Sequence, residues 1–281
     1  MNAKPIELMI KKLFFYAAVF AAFSACAGSP EKEVVIDPPA KDKPNLKVMS
    51  YNIHHCNPPS AGDKIDVEAI AAVINKEKPD FVALQEVDVN TERSGKGKNQ
   101  ARQLAELTGM NFFFAKAIDH QGGDYGVAVL SRFPILDSVQ HILPIDNTIG
   151  GEIRTIAAVT AEISKGQKVM FASTHLDLKE QNRKTQAELI VKHFANAAYP
   201  LIIGGDFNAK PDSQVIGYLD QHFTRSCKHD CMPTIPVENP NRVIDFIMFR
   251  PGSAISSIST RVIDEKYASD HLPVVVKLKV K

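Results

Sequence analysis

LIIGGDFNAKP, residues 201–211, joins an apolar run to two glycines, two polar side chains and a turn that ends at a proline. The apolar run predicts a buried strand, and the proline marks the turn that follows it. Asp206 and Asn208 are two positions apart, so in an extended backbone their side chains lie on one face. The stretch therefore presents a carboxylate and a carboxamide at the carboxyl end of a buried strand, where α/β folds place their ligand sites.

Two interpretations of Asp206 and Asn208 are open on this stretch alone. Their oxygens suit a hard cation such as Mg²⁺, and the Asn amide can also donate to a phosphate oxygen or orient a water. Alternatively both residues serve only the turn, since Asp, Asn and Gly favour turns for local reasons. The other stretches of the chain decide between the two.

The composition is that of a globular protein of 281 residues, with 44% hydrophobic and 23% charged side chains. One large domain or two small ones would fit this length. The formal net charge is +1, and removal of the N-terminal leader described next leaves the chain near neutral. A near-neutral domain lacks the overall positive charge with which proteins grip long nucleic acid, although a local basic groove is compatible with it.

Residues 1–26 resemble a lipoprotein export signal. Lys11 and Lys12 are followed by an apolar run from Leu13 to Ala22 that is too short to span a bilayer. Residues 23–26, Phe-Ser-Ala-Cys, resemble a bacterial lipobox, with Phe23 in place of the usual aliphatic residue. We expect Cys26 to carry lipid and the protein to be exported to the cell envelope, in the periplasm or at the outer membrane. The alternatives are a simple membrane anchor or a signal cut elsewhere.

Residues 27–45 are rich in proline and charge and predict a flexible tether, so the folded domain is expected over residues 46–281. Apolar periodicity and turn signals there predict a mixed order of elements. Helices are predicted at 67–75, 101–107 and 183–195. Strands are predicted at 46–53, 81–86, 112–117, 126–130, 134–142, 154–163, 168–174, 201–205, 243–249 and 272–280. Two mixed sheets packed face to face, with the helices outside, accommodate this order best.

Several predicted strands end in, or lie next to, polar residues of one chemical kind. They are Asn52, Glu86, His175, Asp177, Asp206, Asn208, Asp245, Asp270 and His271. Each alone is an ordinary surface or turn residue. Together they form a set of oxygen ligands with two histidines, which a Mg²⁺-assisted attack of water on a phosphoester would use.

Seven segments in order resemble the signature blocks of the endonuclease/exonuclease/phosphatase superfamily. They are YNIHH (51–55), ALQEVD (83–88), YGVAVLSRFPI (125–135), STHLDL (173–178), GGDFNAKP (204–211), VIDFIMF (243–249) and SDHLPVVV (269–276). The resemblance covers roughly residues 46–281. It implies an α/β fold of the four-layer α/β/β/α sandwich type and a metal-dependent phosphoesterase or nuclease-type hydrolase.

The resemblance also implies a metal site. Glu86 would be the principal ligand of Mg²⁺, with Mn²⁺ as a substitute, and Asn52 would lie beside it. Asp270 would lie at the edge of the metal site. A single carboxylate completed by waters and a substrate phosphate is usual for Mg²⁺, which dehydrates reluctantly.

The catalytic roles are implied in the same way. Asp206 would orient or deprotonate the attacking water, and Asn208 would hold a phosphate oxygen. His271 would act as base or phosphate contact, paired with Asp245, because a carboxylate on the far ring nitrogen fixes the tautomer and supports the imidazolium. His175 would stabilise the developing charge or protonate the leaving oxygen, help that is typically worth ~10²–10⁴-fold.

Three further residues are candidates for substrate binding. His54 could line the site or be a surface residue, as could its neighbour His55. Arg93 could clamp a phosphate bidentately or be a solvated loop residue. Tyr125 resembles a family tyrosine near the phosphate. For Arg154 we expect a bracing role, and for Asp177 a hydrogen bond to the adjoining loop.

The remaining cysteines are Cys56, Cys227 and Cys231. Cys227 and Cys231 lie four apart near two histidines, but their spacing fits no common structural zinc pattern. In an oxidising compartment a local disulfide is the expected outcome, with Cys56 unpaired near the site.

Three functions are compatible with these residues. The first is an exported phosphoesterase acting on a small or lipid-linked phosphoester, and the second is a nuclease on DNA or RNA with the same chemistry. The nuclease would be favoured by a basic, aromatic-rich groove, whereas the chain has no Trp and only short basic stretches such as residues 93–98. The third, a non-catalytic surface-binding lipoprotein, would be favoured by loss of a core position, and all of them are present.

Overall fold

The computed structural model describes residues 45–252 and 255–281. The predicted export signal, Cys26 and the tether up to residue 44 lie outside the described residues. Within the described residues, each helix is too short or too polar to cross a membrane.

The described chain forms twelve strands and four helices. The strands are β1 (Asn45–Asn52), β2 (Phe81–Val89), β3 (Asn111–His120), β4 (Gly123–Ser131), β5 (Ile135–Leu143), β6 (Arg154–Ser164), β7 (Gln167–His175), β8 (Leu201–Asp206), β9 (Thr224–Arg225), β10 (Asp245–Phe249), β11 (Ile255–Val262) and β12 (Val274–Val280). The helices are α1 (Val67–Glu77), α2 (Gln100–Thr108), α3 (Glu180–Phe194) and α4 (Gln214–Leu219), and short 3₁₀ turns lie at His54–Cys56 and Pro59–Ala61.

Two sheets of six strands each make up the centre of the fold. One has the order β11-β12-β1-β2-β4-β3 and the other the order β5-β6-β7-β8-β10-β9. Each sheet contains one parallel pair, β1 with β2 and β7 with β8, among antiparallel neighbours. The parallel pairs carry their carboxyl ends to the same edge of their sheet, which prepares a site at that edge.

Apolar packing separates the molecule into four layers. A cluster between the sheets joins Leu46, Phe81 and Val129 of the first sheet to Phe171 and Ile202 of the second. A second cluster packs α1 and α2 on the outer face of the first sheet, and a third packs α3 and α4 on the outer face of the second. The predicted four-layer α/β/β/α sandwich of two mixed sheets is therefore confirmed.

The glycine pair of β8 lets the sheets approach closely. A Cβ on Gly204 would lie 2.8 Å from the Ala83 Cβ of the opposite sheet, and one on Gly205 would lie 2.5 Å from the Thr174 carbonyl oxygen. Nearby, Gln85 Nε2 donates to Ser173 Oγ across the interface at 3.0 Å. The two sheets are thus held together next to Glu86 in β2 and near the end of β8 that carries Asp206.

The observed helices and strands differ from the predicted ones mainly in their first and last residues. β10 begins at Asp245 and β12 at Val274, each two residues later than predicted, because the preceding residues belong to loops. The sequence analysis missed α4, β9 and β11. β11 is an edge strand paired only with β12, and its mostly exposed side chains carry no alternating apolar pattern.

Candidate functional site

The predicted site residues converge where β1, β2, β7 and β8 end. Asn52 and His175 are the last residues of β1 and β7, and Asp206 is the last residue of β8. His175 and Asp245 are the register partners of Asp206 on either side of it in the second sheet. Polar side chains at strand ends therefore do meet at one edge of the fold, although the residues lie far apart in sequence.

Glu86 leaves the regular strand at an irregularity in β2. Its φ is +58°, and the register of β2 against β4 shifts between Leu84 and Val87. A bulge of this kind redirects a side chain, and a non-glycine residue at positive φ stores strain that is typical of functional positions. The half-buried Glu86 carboxylate is thereby brought toward the second sheet.

Asn52 connects the two halves of the site. Its Nδ2 donates to Glu86 Oε1 at 3.0 Å and to Asp206 Oδ2 at 3.1 Å. Its Oδ1 accepts from the His54 backbone amide at 3.1 Å, and its carbonyl accepts from Ser269 Oγ at 2.7 Å. One buried amide thus fixes two carboxylates that belong to different sheets.

His271 and Asp245 form a buried pair behind Asp206. His271 Nδ1 lies 2.9 Å from Asp245 Oδ2, which also accepts from Thr234 Oγ1 at 2.5 Å. Burial opposes the charged form of His271, but the charge and hydrogen bond of Asp245 outweigh it and raise the pKa of His271 to about 10. The ring is therefore an imidazolium at neutral pH, with Nε2 3.7 Å from Asp206 Oδ2.

Asp206 has the environment of a base that works near neutrality. Burial and the nearby Asp245 charge raise its pKa to about 7, although His271 and the hydrogen bonds from Asn208 and Asn52 oppose this. Its Oδ1 accepts from the Asn208 backbone amide at 2.9 Å. A carboxylate whose pKa lies near the working pH is suited to remove a proton from water.

His175 is a neutral ring between two polar neighbours. Burial and the positive charges of Arg154 and His271 hold the pKa of His175 well below its ordinary value. Arg154 Nη1 lies 3.2 Å from His175 Nδ1 and can only donate, so Nδ1 faces a donor. Nε2 lies 3.6 Å from Asp206 Oδ2 and 3.0 Å from the side-chain amide of Asn208, which also donates to the Leu176 carbonyl oxygen.

Two groups of side chains among the described residues bring three potential ligand atoms within 4.8 Å of one another. One is Asp206, Asp245 and His271, and the other is His54, His55 and Glu86. Asp270 belongs to neither group. It is half-buried, and its Oδ1 lies 3.4 Å from Ser269 Oγ.

The residues around Glu86 fit a divalent cation by their donor chemistry. The Glu86 carboxylate is hydrogen-bonded to Asn52, so a carboxylate and a carboxamide lie side by side in a polar, partly open site. Oxygen donors of this kind are what Mg²⁺ and Mn²⁺ accept. Glu86 and Asn52 would hold the ion.

The predicted phosphate clamp of Arg93 is already engaged. Its Nε and Nη2 donate to the two oxygens of the buried Asp88 at 2.7 and 2.9 Å. Asp88 also accepts from Thr91 Oγ1 and Ser94 Oγ. Neither interpretation of Arg93 foresaw this pair, and a bidentate contact from Nε and Nη2 to phosphate would require breaking it.

Tyr125 and His54 lie beside Glu86. The Tyr125 ring is stacked against Arg93, with 5.5 Å between its centroid and the guanidinium carbon. Burial and the Glu86 charge raise the pKa of Tyr125 well above its ordinary value, so its hydroxyl is a hydrogen-bond donor. His54 faces His55 with ring centroids 4.5 Å apart. Substrate contact by these side chains stays a prediction.

Arg154 was expected to brace the structure, and His55 either to line the site or to lie at the surface, and neither was given a catalytic or metal-binding role. Arg154 is buried at the start of β6, between Glu152 at 2.9 Å and His175. The register of β6 against β7 ends at the pair Ile156–Thr174, so strand pairing alone does not place the Arg154 side chain against His175. His55 joins the Glu86 group through a left-handed backbone conformation that residues other than glycine rarely adopt, so the sequence did not predict its approach to Glu86.

Two smaller expectations also have structural outcomes. Asp177 accepts from Asn182 Nδ2 at 2.5 Å and from the Glu152 backbone amide at 3.4 Å, so it braces the adjoining loop. Cys227 and Cys231 form a disulfide with their Cα atoms 5.6 Å apart. Cys56 is buried and has no disulfide partner among the described residues.

Comparisons with known proteins agree with this geometry. The sequence is 27% identical over 177 residues to the uncharacterized protein YbhP of Escherichia coli (strain K12), a match that spans 60% of this chain and 69% of that protein. A solved endonuclease/exonuclease/phosphatase from Beutenbergia cavernae DSM 12333 superimposes with a TM-score of 0.71 and 28% identity, covering 84% of this chain and 72% of the other. The mannosyl-6-phosphatase of Bacteroides thetaiotaomicron VPI-5482 gives a TM-score of 0.67 at 19% identity, covering 83% of this chain and 99% of the other.

The family match covers most of the described chain. Residues 49–271 match the Endonuclease/Exonuclease/phosphatase family, and this range contains every site residue discussed above. The fold and the class of enzyme that the resemblance implied are confirmed. The chain belongs to the endonuclease/exonuclease/phosphatase family of metal-dependent phosphoesterases.

Proposed function

We propose that this protein is a Mg²⁺-dependent hydrolase, with Mn²⁺ as a substitute, that cleaves a small or lipid-linked phosphoester outside the cytoplasm while anchored through a lipid on Cys26. The observation that carries the catalytic part is the position of Asp206. Its buried carboxylate lies 3.6 Å from His175 and 3.7 Å from His271. It also accepts a hydrogen bond from the Asn52 side-chain amide, which donates to Glu86 as well. The proposed base, Asp206, thus lies close to two imidazoles and to the carboxylate proposed to bind the cation.

Each side chain has a distinct task in this proposal. Asp206 accepts a proton from the attacking water, because its raised pKa makes it a base near neutrality. The His271 imidazolium, held by Asp245, neutralises negative charge on the phosphoryl group, and the His175 ring, 3.6 Å from Asp206, contacts the same group. Glu86 and Asn52 would hold a divalent ion, which would supply further positive charge when bound.

The choice of a small or lipid-linked substrate rests on charge and on the predicted anchor. The chain is near neutral and has no Trp, so it lacks the overall basic charge and much of the aromatic surface that long nucleic acids favour. A structural neighbour named as a mannosyl-6-phosphatase shows that this fold can serve a sugar phosphate. An anchored enzyme at a membrane surface also meets lipid-linked phosphoesters.

A nuclease is the second candidate, and one feature of the surface favours it. A cavity of about 380 Å³ beyond the end of β2 is lined by Lys98 and Arg102. Two cations next to such a space could contact a phosphate backbone that extends from the site.

Hydrolysis by the purified chain tests the proposal. The panel contains a chromogenic phosphomonoester, a chromogenic phosphodiester, sugar and inositol phosphates, sphingomyelin, plasmid DNA and single-stranded RNA, each with Mg²⁺, Mn²⁺ or chelator. Metal-dependent cleavage confined to small or lipid substrates supports the proposal. Preferential cleavage of nucleic acid would replace it with the nuclease, and no cleavage of any substrate would contradict the catalytic part.

Export and anchoring need a separate experiment. In a bacterial host fed with labelled palmitate, the wild-type chain should incorporate label and sediment with membranes. The Cys26→Ser variant should do neither. Equal labelling of both proteins, or no labelling of either, would contradict the lipid anchor without bearing on catalysis.

A further inference from the structure

We propose that His54, His55 and Glu86 form a site for a divalent first-row transition metal such as Zn²⁺, Mn²⁺ or Co²⁺. A ring nitrogen of each histidine and a carboxylate oxygen of Glu86 lie within 4.8 Å of one another. Donor atoms bound to one ion at about 2.1 Å can be no more than about 4.2 Å apart, so a small closing of the side chains places all three on one ion.

The backbone is bent at some cost to bring these side chains together. His54, His55 and Cys56 have φ values of 44°, 43° and 58°, and Glu86 on the neighbouring strand has φ 58°. Left-handed conformations of non-glycine residues cost about 1–2 kcal/mol each. Three in succession directly after a strand, facing a fourth, are typical of positions where strain serves a function.

The ring of His54 is oriented as a metal ligand would be. Its Nδ1 lies 2.8 Å from the Asn57 carbonyl oxygen, which can only accept, so Nδ1 carries the proton. The lone pair is then on Nε2 and is available to a cation. Histidines that bind metals commonly donate their other ring nitrogen to a backbone carbonyl in this way.

His55 has a ring nitrogen without a partner. Its Nδ1 is buried and makes no hydrogen bond to any described residue. The His55 carbonyl oxygen accepts from Gln100 Nε2 at 2.6 Å, so the backbone that carries the ring is fixed. A buried polar atom without a partner in an otherwise ordered site is accounted for by a ligand that the site binds.

The donor set determines the class of ion. Two imidazole nitrogens and one carboxylate suit Zn²⁺, Mn²⁺, Fe²⁺ or Co²⁺, whereas Mg²⁺ prefers oxygen ligands. The proposal depends on the proposed function only in that both use Glu86. Its test therefore measures binding of a metal and not hydrolysis.

Cobalt binding to the metal-free full chain is the test. Co²⁺ is titrated while its visible absorption, which intensifies when imidazole binds, is recorded, and Zn²⁺ or Mg²⁺ is then added as competitor. We expect a saturable spectrum that Zn²⁺ abolishes at near-stoichiometric concentration and that Mg²⁺, which also uses Glu86, displaces only in large excess. Displacement by Mg²⁺ at concentrations similar to Zn²⁺ would overturn the assignment.

Substitutions locate the site. His54→Asn and His55→Asn should each weaken Co²⁺ binding by about tenfold or more, and the double variant by about 100-fold or more. Asn tolerates the left-handed backbone, so these variants should keep the fold, which thermal unfolding checks. The exposed His229→Ala is the matched control and should bind as wild type does. Unchanged binding in the folded double variant would overturn the proposal.

The result of the cobalt titration can be told apart from the result of the hydrolysis experiment that tests the proposed function. Loss of the cobalt spectrum in the double variant supports the metal site even if the wild-type chain cleaves no substrate of the panel. Conversely, Mg²⁺-dependent cleavage with an unchanged cobalt spectrum in the double variant keeps the hydrolase and removes this site.

Discussion

His271 and Asp245 form an almost fully buried ion pair, with 2.9 Å between His271 Nδ1 and Asp245 Oδ2. The carboxylate fixes which ring nitrogen faces it and leaves Nε2 directed toward Asp206. The pair keeps His271 charged at neutral pH beside the Asp206 carboxylate.

Asp245→Asn should lower kcat by about 10²–10⁴-fold, because the amide cannot support the imidazolium that the carboxylate stabilises. KM should change little, since the substitution keeps the size of the side chain. Steady-state kinetics on the best substrate of the panel measures both. The exposed Asp137→Asn serves as control, and a fall of only a few-fold for Asp245→Asn would show that the pair is merely structural.

The stability of the metal-free protein should fall as pH rises from about 6.5 to about 10. The pKa of His271 is raised to about 10, so the folded state keeps a proton that the unfolded state loses near 6.5, and this stabilisation is present below 6.5 and lost through 10. The raised pKa of Asp206, about 7, acts in the same direction between about 4 and 7.

Thermal unfolding with chelator across this pH range measures the effect. The double variant Asp206→Asn/His271→Gln removes both groups and should lose most of the decrease in Tm. An identical pH dependence in wild type and double variant would contradict the buried imidazolium.

Glu86→Gln should weaken divalent-metal binding and lower metal-dependent hydrolysis by at least about 10²-fold, because the amide has no charge to attract the cation. Hydrogen bonding to Asn52 can persist, so the protein should remain folded. Calorimetric titration with Mn²⁺ is the direct measurement. Glu92→Gln, a 72% exposed neighbour, is the control, and full activity of Glu86→Gln at ordinary Mg²⁺ would refute the ligand assignment.

Asp88→Asn should destabilise the fold by about 3 kcal/mol, the lower end of the range for breaking a buried ion pair, because Arg93 retains 29% exposure. The buried carboxylate accepts from Arg93, Thr91 and Ser94 and so holds the loop beside Glu86. Asp119→Asn removes a 92% exposed partner of Lys116 and should cost about 0–1 kcal/mol. Denaturant unfolding compares the two, and equal effects would mean that Asp88 has no special structural role.

The sequence specified the fold through local signals. Apolar runs marked most strands, and Gly109 ended α2 in the left-handed conformation expected of a C-terminal cap. β11 was missed because it is an exposed edge strand with three serines, so no apolar face reveals it. Likewise α4 has only six residues, too few for helical periodicity to show.

The sequence indicated which residues belong to the candidate site, but it did not indicate the hydrogen bonds between them. Polar residues at strand ends identified Asn52 and Asp206, yet the hydrogen bond between them joins residues 154 positions apart and depends on how the two sheets stack. The pairing of Arg93 with Asp88 depends on the loop that follows β2, which carries no periodic signal. The conformation that directs His55 toward Glu86 is set by tertiary structure, because local preference opposes it.

Hydrolysis by wild type and Asp206→Asn, measured side by side against pH with saturating Mg²⁺, tests the central claim most directly. Asn preserves the size of the side chain and can accept one of the two hydrogen bonds that Asp206 receives from Asn208 and Asn52, but it cannot take a proton from water. We expect metal-dependent cleavage by the wild type and a loss of at least about 10²-fold in the variant at every pH. Cleavage by the variant at a rate close to that of wild type would contradict the assignment of Asp206 as the catalytic base.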